Sequence, residues 1–191
     1  MTDNLALELT AGTPVEASLN TSATAYTFTP TSCGTNGACV MNGNTLTPAP
    51  NGNYYYSWYA ATAGTGTPAL VSADASASVC PVGWKLPSNY TISSTKSFGS
   101  LTNSYRLTSD GATSSTNYTA ELEASPLSFA RSGYYYSGSL HDSGTIGLYW
   151  TATSFNSTNI AYDFYYSTSF TIPQYSNDGR YYSPNVRCVA L

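Results

Sequence analysis

The chain has 191 residues, enough for one compact domain with an extension and short for two. Six Lys and Arg against ten Asp and Glu leave a formal charge of −4, and charged residues make up only 8% of the chain, against roughly 25% in an average domain. That balance argues against nucleic acid as a partner, because phosphates need clustered cations. It also leaves the polarity to 28 Ser and 27 Thr, with 18 Tyr supplying much of the aromatic surface. Such aromatic content predicts a folded chain. The long uncharged stretches are broken by Gly, Ser, Asn and Pro, so no transmembrane helix is expected.

The start, Met1-Thr2-Asp3-Asn4, lacks the basic end and apolar run of a secretory leader. The protein therefore either stays inside the cell or begins after a removed leader. Low charge, abundant Ser, Thr, Asn and Tyr, and four cysteines favour an exported, cell-surface or extracellular protein. Four cysteines permit two disulfides with three connectivities. Within residues 1–50, stretches 5–9 and 24–28 alternate apolar and polar residues as strands do. Cys33 and Cys39 bracket Gly34-Thr35-Asn36-Gly37-Ala38, a flexible segment that allows a small disulfide loop; the other reading is two free thiols. Pro48-Ala49-Pro50-Asn51-Gly52 is a turn signal, and an N-terminal extension, 1–50, is expected to end there.

Tyr54-Tyr55-Tyr56-Ser57-Trp58-Tyr59 reads as a strand. Cys80-Pro81-Val82-Gly83-Trp84-Lys85-Leu86-Pro87 suggests a rigid, cross-linked strand end rather than a catalytic loop. Helix signals are few: Phe98, Leu101 and Tyr105 at i, i+3 and i+7 behind Ser94 or Thr95 as cap, and a second short helix near 118–123 ending before Pro126. From Ser132 onward short aromatic strands alternate with Gly, Asn and Ser turns. The expected class is α+β with antiparallel strands dominating.

Tyr56 to Gly66, Cys80 to Pro87, Ser132-Gly133-Tyr134 through Ser139, Gly147-Leu148-Tyr149-Trp150-Thr151-Ala152-Thr153, Ala161 to Tyr166, and Val186-Arg187-Cys188-Val189 follow one another in a specific order. Together they resemble the Fibrobacter succinogenes major paralogous domain over about residues 51–191. The resemblance implies a C-type lectin-like fold: irregular antiparallel sheets, two short helices, and neighbouring ends joined by a closed loop. It implies a Cys80–Cys188 disulfide, which leaves Cys33 with Cys39. The calcium-held sugar site of lectins is unsupported. Glu-Pro-Asn, Gln-Pro-Asp and Trp-Asn-Asp triplets are missing, and Asp142, Asp163 and Asp178 are scattered in sequence although calcium takes six to eight oxygens. The family's Trp-Ser-Ser-Thr segment reads Trp150-Thr151-Ala152-Thr153 here.

Some proteins with this kind of fold are the variable proteins of diversity-generating retroelements, whose template adenines mutate so that AAC or AAT codons become NNC or NNT. Such codons cannot encode Lys, Glu, Met, Gln or Trp. After Arg131 the chain has no Lys, Glu or Met; Trp150 belongs to the scaffold and Gln174 is the other exception. A Lys-poor, Tyr-rich region in a low-charge protein would show the same absence without targeted mutagenesis. Tyr is suited to recognition in either case, because it orders a large rigid face at little entropic cost, with Ser, Asn and Gly adding adaptable hydrogen bonds. The expected contact residues are Tyr135, His141, Asp142, Ile146, Leu148, Phe155, Asn156, Asp163, Tyr165, Phe170, Tyr175, Asn177, Asp178, Tyr181 and Tyr182. Period two in 161–166 assigns Tyr162, Phe164 and Tyr166 to the core and leaves Asp163 and Tyr165 outward.

Catalysis finds little support. His141, the only histidine, is followed directly by Asp142, and the two project differently; no Gly-x-Ser-x-Gly elbow is present. One histidine and four cysteines expected as disulfides do not build the usual zinc site. Glu121 and Glu123 are two apart on the expected helix and do not face each other, as glycoside hydrolysis requires. Formylglycine-generating oxidases share the implied fold but need reactive cysteines. Phosphate loops and dinucleotide fingerprints are absent from the sequence, and neither cofactor nor metal is expected. The expectation is a non-catalytic surface protein whose ligand is a protein or cell-surface structure, acting in adhesion or in host and prey recognition. The alternatives are a structural or adhesive subunit of a pilus or envelope, or a sugar-binding module.

Overall fold

The computed structural model describes residues 4–5, 14–15, 26–27, 40–41, 54–66, 69–89, 98, 116–136, 139–155, 159–167, 174–180 and 182–191. Its centre is an antiparallel sheet of β8 (Ile146–Ser154), β9 (Ile160–Ser167) and β10 (Gln174–Gly179), in the order β10-β9-β8. β8 and β9 are rich in aromatic and β-branched residues, which fit a pleated, buried surface. Four two-stranded sheets accompany it: β1 (Pro14–Val15) with β2 (Tyr26–Thr27), β3 (Val40–Met41) with β4 (Tyr55–Tyr56), β5 (Trp84–Lys85) with β11 (Val189–Ala190), and β6 (Tyr134–Tyr136) with β7 (Ser139–His141). Helix α1 spans Trp58–Ala61 and α2 spans Thr116–Glu123. The class is α+β and the strand pairing antiparallel, as expected from the sequence.

The central hairpin is covered on both faces, and its register decides which residue goes where. Tyr149 stands opposite Phe164, and Trp150 opposite Asp163. On the Tyr149 side, Phe164 and Tyr166 meet Phe98, Phe129 and Leu122 of α2. Phe98 stacks on Phe164 with centroids 4.5 Å apart, and Phe129 meets Tyr149 edge-on at 5.0 Å. Gly147 has a specific purpose here: a Cβ on it would lie 2.0 Å from the Tyr166 ring. On the Trp150 side, the first core as against the second on the Tyr149 side, Ala152 and Ala161 join Tyr56, Trp58, Val79, Leu86 and Val186. Arg180 is fully buried there, its guanidinium 4.4 Å from the Trp58 ring and donating 2.8 Å to Leu70 O. Arg187 serves the other core in the same way, 4.2 Å over Phe129 and donating to Leu127 O and Ser128 O.

Three local expectations are corrected. The strand expected over residues 54–59 ends at Tyr56, because Ser57 caps α1 and its side chain accepts from Ala60 N; the following Ala60-Ala61 pair favours the helix. Asp163, expected outward, is fully buried, since the sheet it lies in is covered on both faces. Tyr162, expected in the core, is half-buried. Residues 118–123 are helical as expected, within α2. Phe98 is buried in the second core, whereas the remainder of its expected helix and Cys33 and Cys39 lie outside the described residues. So do residues 6–9 of the first expected strand and residues 24–25 and 28 of the second, of which Tyr26–Thr27 is strand β2.

Cys80 and Cys188 are joined, 108 residues apart, with Cα atoms at 5.8 Å. The bond sits beside the β5–β11 pairing, so the Cys80 to Pro87 segment is a cross-linked strand end. Two ties cross residue 51: β3 pairs with β4, and Leu5 N donates 2.9 Å to Val186 O while its side chain enters the first core.

Two stability predictions follow from these contacts. Closing a loop of this length constrains the unfolded chain by about 4–5 kcal/mol, so urea unfolding with and without reductant is expected to differ by that order. The Tyr166 hydroxyl is buried without a hydrogen-bond partner among the described residues, and desolvation raises its pKa. Tyr166→Phe is therefore expected to leave stability unchanged or raise it by about 1 kcal/mol; a clear loss in the same urea assay would contradict this.

Candidate functional site

β6 is a run of three tyrosines, and its pairing with β7 splits them. Tyr134 stands opposite His141 and Tyr136 opposite Ser139, while Tyr135 stands opposite Leu140. Alternation sends Tyr135 toward the buried Tyr55, 6.3 Å away between ring centroids, with Leu140 packed in the same small cluster. Tyr134 and Tyr136 take the other face. Tyr134 stacks on His141 at 5.5 Å, and Tyr136 lies 6.2 Å from it, with His141 Nε2 3.3 Å from Tyr136 O. Tyr182, arriving after β10, closes the group at 4.5 Å from Tyr136 and 5.6 Å from Tyr134. All four rings are half-exposed.

Backbone contacts fix this patch. Tyr135 and Ser183 exchange both of their backbone hydrogen bonds at 3.0 Å, which sets Tyr182 against β6. Gly133 has φ +73°, and a Cβ there would lie 2.1 Å from His141 O, so glycine lets the two strands approach. Asp142 has φ +53°, and its carbonyl accepts from Thr145 N and Ile146 N at 3.0 Å, forming the turn into β8. Behind the patch, buried Asn185 donates to Tyr54 O at 2.7 Å, accepts from Ser132 Oγ, and bridges to β8 through Trp150 N and Leu148 O at 3.1 Å each.

Acidic groups flank the rings. Burial, and then the charges of Asp142, Tyr182 and Asp178, raise the Tyr134 pKa above its ordinary value; Asp142 is also within hydrogen-bonding reach of its hydroxyl. Asp178 lies diagonally across the β9–β10 ladder from Asp163, with Ser176 opposite Asp163 and Asp178 opposite Ala161. The two carboxyls are within hydrogen-bonding reach, but desolvation dominates and raises the Asp178 pKa. The acids that are scattered in sequence are thus drawn toward one region. Among the described residues no group of three His, Cys, Asp or Glu side chains forms a metal cluster, and no helix is long and apolar enough to cross a membrane.

Of the expected contact residues, His141, Asp142, Asp178 and Tyr182 are brought together. Tyr135 adjoins them but leans inward. Leu148 and Asp163 are corrected: they are buried at 2% and 0% exposure, because one face of β8–β9 that would have to display them packs against the first core. Ile146 and Tyr165 are half-exposed on the sheet, and Phe155 packs edge-on against Tyr162 at 5.0 Å, apart from the patch. Tyr175 and Asn177 lie on β10 opposite Phe164 and Tyr162, described through their backbone. Asn156, Phe170 and Tyr181 lie outside the described residues. Tyr134 and Tyr136 were not expected; period two in the Tyr134-Tyr135-Tyr136 run signals a split, but only the register says which face is outward. A separate groove of about 250 Å³ is lined by Trp84, Lys85, Asp74 and Ser88, where Asp74 accepts from Ser88 Oγ at 2.6 Å; no expected contact residue lines it.

Comparison of the chain with protein-family models, curated proteins and solved structures finds no match.

The raised pKa of Asp178 fixes the sign of a pH effect. A carboxyl whose folded-state pKa exceeds its unfolded value stabilises the fold below the unfolded pKa and loses that contribution as pH rises through the folded one. Asp178→Asn is therefore expected to be more stable than the parent at neutral pH, with the difference vanishing below about pH 4. Urea melts across the acid-to-neutral range check this, and a parent that is the more stable at neutral pH would contradict it.

Proposed function

We propose that the protein is a non-catalytic, exported surface protein that binds a protein or cell-surface ligand through the Tyr134, Tyr136, His141 and Tyr182 patch. The observation that carries this reading is the meeting of these four half-exposed rings from β6, β7 and the segment after β10. Large aromatic faces held by a rigid backbone bind with little loss of side-chain entropy. The domain over 51–191 is read as C-type lectin-like and similar to the variable proteins of diversity-generating retroelements. The Cys80–Cys188 bond and the two short helices support that reading. The disulfide also suits an oxidising, extracytoplasmic setting.

Sequencing the DNA that flanks the gene tests the diversified form of this function. The expected finding is a near-repeat of the codons for residues 132–191, beside a reverse transcriptase, that differs at template adenines. Its differences should fall on exposed or half-exposed positions such as Tyr134, His141, Asp142 and Tyr182. Differences at buried Trp150 or Phe164, or no repeat at all, would overturn diversification.

A further inference from the structure

The patch combines two features that recognise the same chemistry. Aromatic faces carry negative potential and attract cations within about 6 Å of the ring centroid. Asp142 is exposed at the rim and Asp178 is half-exposed beside it, both acting on Tyr134. Among the described residues the four Lys and Arg lie elsewhere. Lys85 lines the separate groove, Arg131 pairs with Glu123 at 2.5 Å, and Arg180 and Arg187 are buried over Trp58 and Phe129. The chain as a whole carries −4.

We propose that this patch receives an arginine side chain of a partner protein, its guanidinium stacked on the tyrosine rings and forked onto the Asp142 carboxylate. The inference rests on the reading of the patch as the ligand surface and specifies the chemistry it selects. Arginine fits better than lysine because its planar, weakly hydrated guanidinium stacks on aromatic faces while offering two parallel N–H donors to a carboxylate. The half-buried Asp178 adds field without being the primary contact. Burial and neighbouring negative charge hold the Tyr134 hydroxyl protonated, and the field that disfavours a phenolate favours a cation.

The test is an NMR titration of the protein, with isotopically labelled tyrosine rings, against N-acetylarginine amide and its neutral near-isostere N-acetylcitrulline amide. Arginine is expected to shift the rings of Tyr134, Tyr136 and Tyr182 saturably, with citrulline about tenfold weaker. Asp142→Asn should weaken the arginine response about threefold or more. That variant is expected to fold, because asparagine tolerates the left-handed backbone at this position. Equal binding of citrulline would overturn the cation proposal and leave the patch a neutral ligand surface. Shifts by arginine that do not saturate, or that spare these three rings, would overturn it as well, while a flanking repeat whose differences fall on these rings would leave the patch a ligand surface for other chemistry.

Discussion

Two tryptophans exchange hydrogen bonds across the first core, and the arrangement of the protein depends on that exchange. Trp58, on α1, donates its indole N–H to Thr151 O of β8 at 2.9 Å; Trp150, on β8, donates to Tyr56 O of β4 at 2.7 Å. Each large ring is fully buried, so each indole N–H needs a partner inside the protein. By each donating to the backbone of the other's segment, the two rings bind residues 55–61 to the central hairpin. The same device fixes the hairpin's register, since moving β8 by one residue would turn Trp150 to the opposite face.

A chain with so few charges buries two of its arginines. Arg180 and Arg187 are buried, and each lies over a core aromatic while donating to backbone carbonyls of irregular segments. Loops are usually kept at the surface because their peptide groups need partners. A guanidinium supplies several donors from one side chain, so segments 127–128 and Leu70 are held without belonging to a sheet. Asn185 performs the equivalent task between residues 54, 132 and β8. The interior polar groups therefore organise chain that strand pairing leaves unpaired.

The surface patch is a consequence of this internal order. Its rings come from separate stretches, and their relative positions depend on the Tyr135–Ser183 pairing and on the close approach at Gly133. A surface assembled in this way can vary in side chain while its backbone stays fixed. Asp178 illustrates the cost, because its carboxyl is partly desolvated beside the buried Asp163.

By itself the sequence determined the class, the short helix within Thr116–Glu123, and the cross-linked character of the Cys80 to Pro87 segment. Those three depend on composition, local propensity and turn chemistry, which are local properties. The expected contact residues came from the resemblance, and of the described ones the fold draws His141, Asp142, Asp178 and Tyr182 together. Other features were decided by the tertiary structure. Ser57-Trp58-Tyr59 continues an aromatic run that reads as strand, yet a serine cap and the packing of Trp58 turn it into a helix. Asp163 looks outward by alternation, but alternation assumes one solvent-facing side, and β9 has core on both. Tyr134, Tyr135 and Tyr136 are identical in sequence, and only their pairing with β7 sends one inward and two outward. Pairing and double-sided burial join residues distant along the chain, so no local pattern carries them.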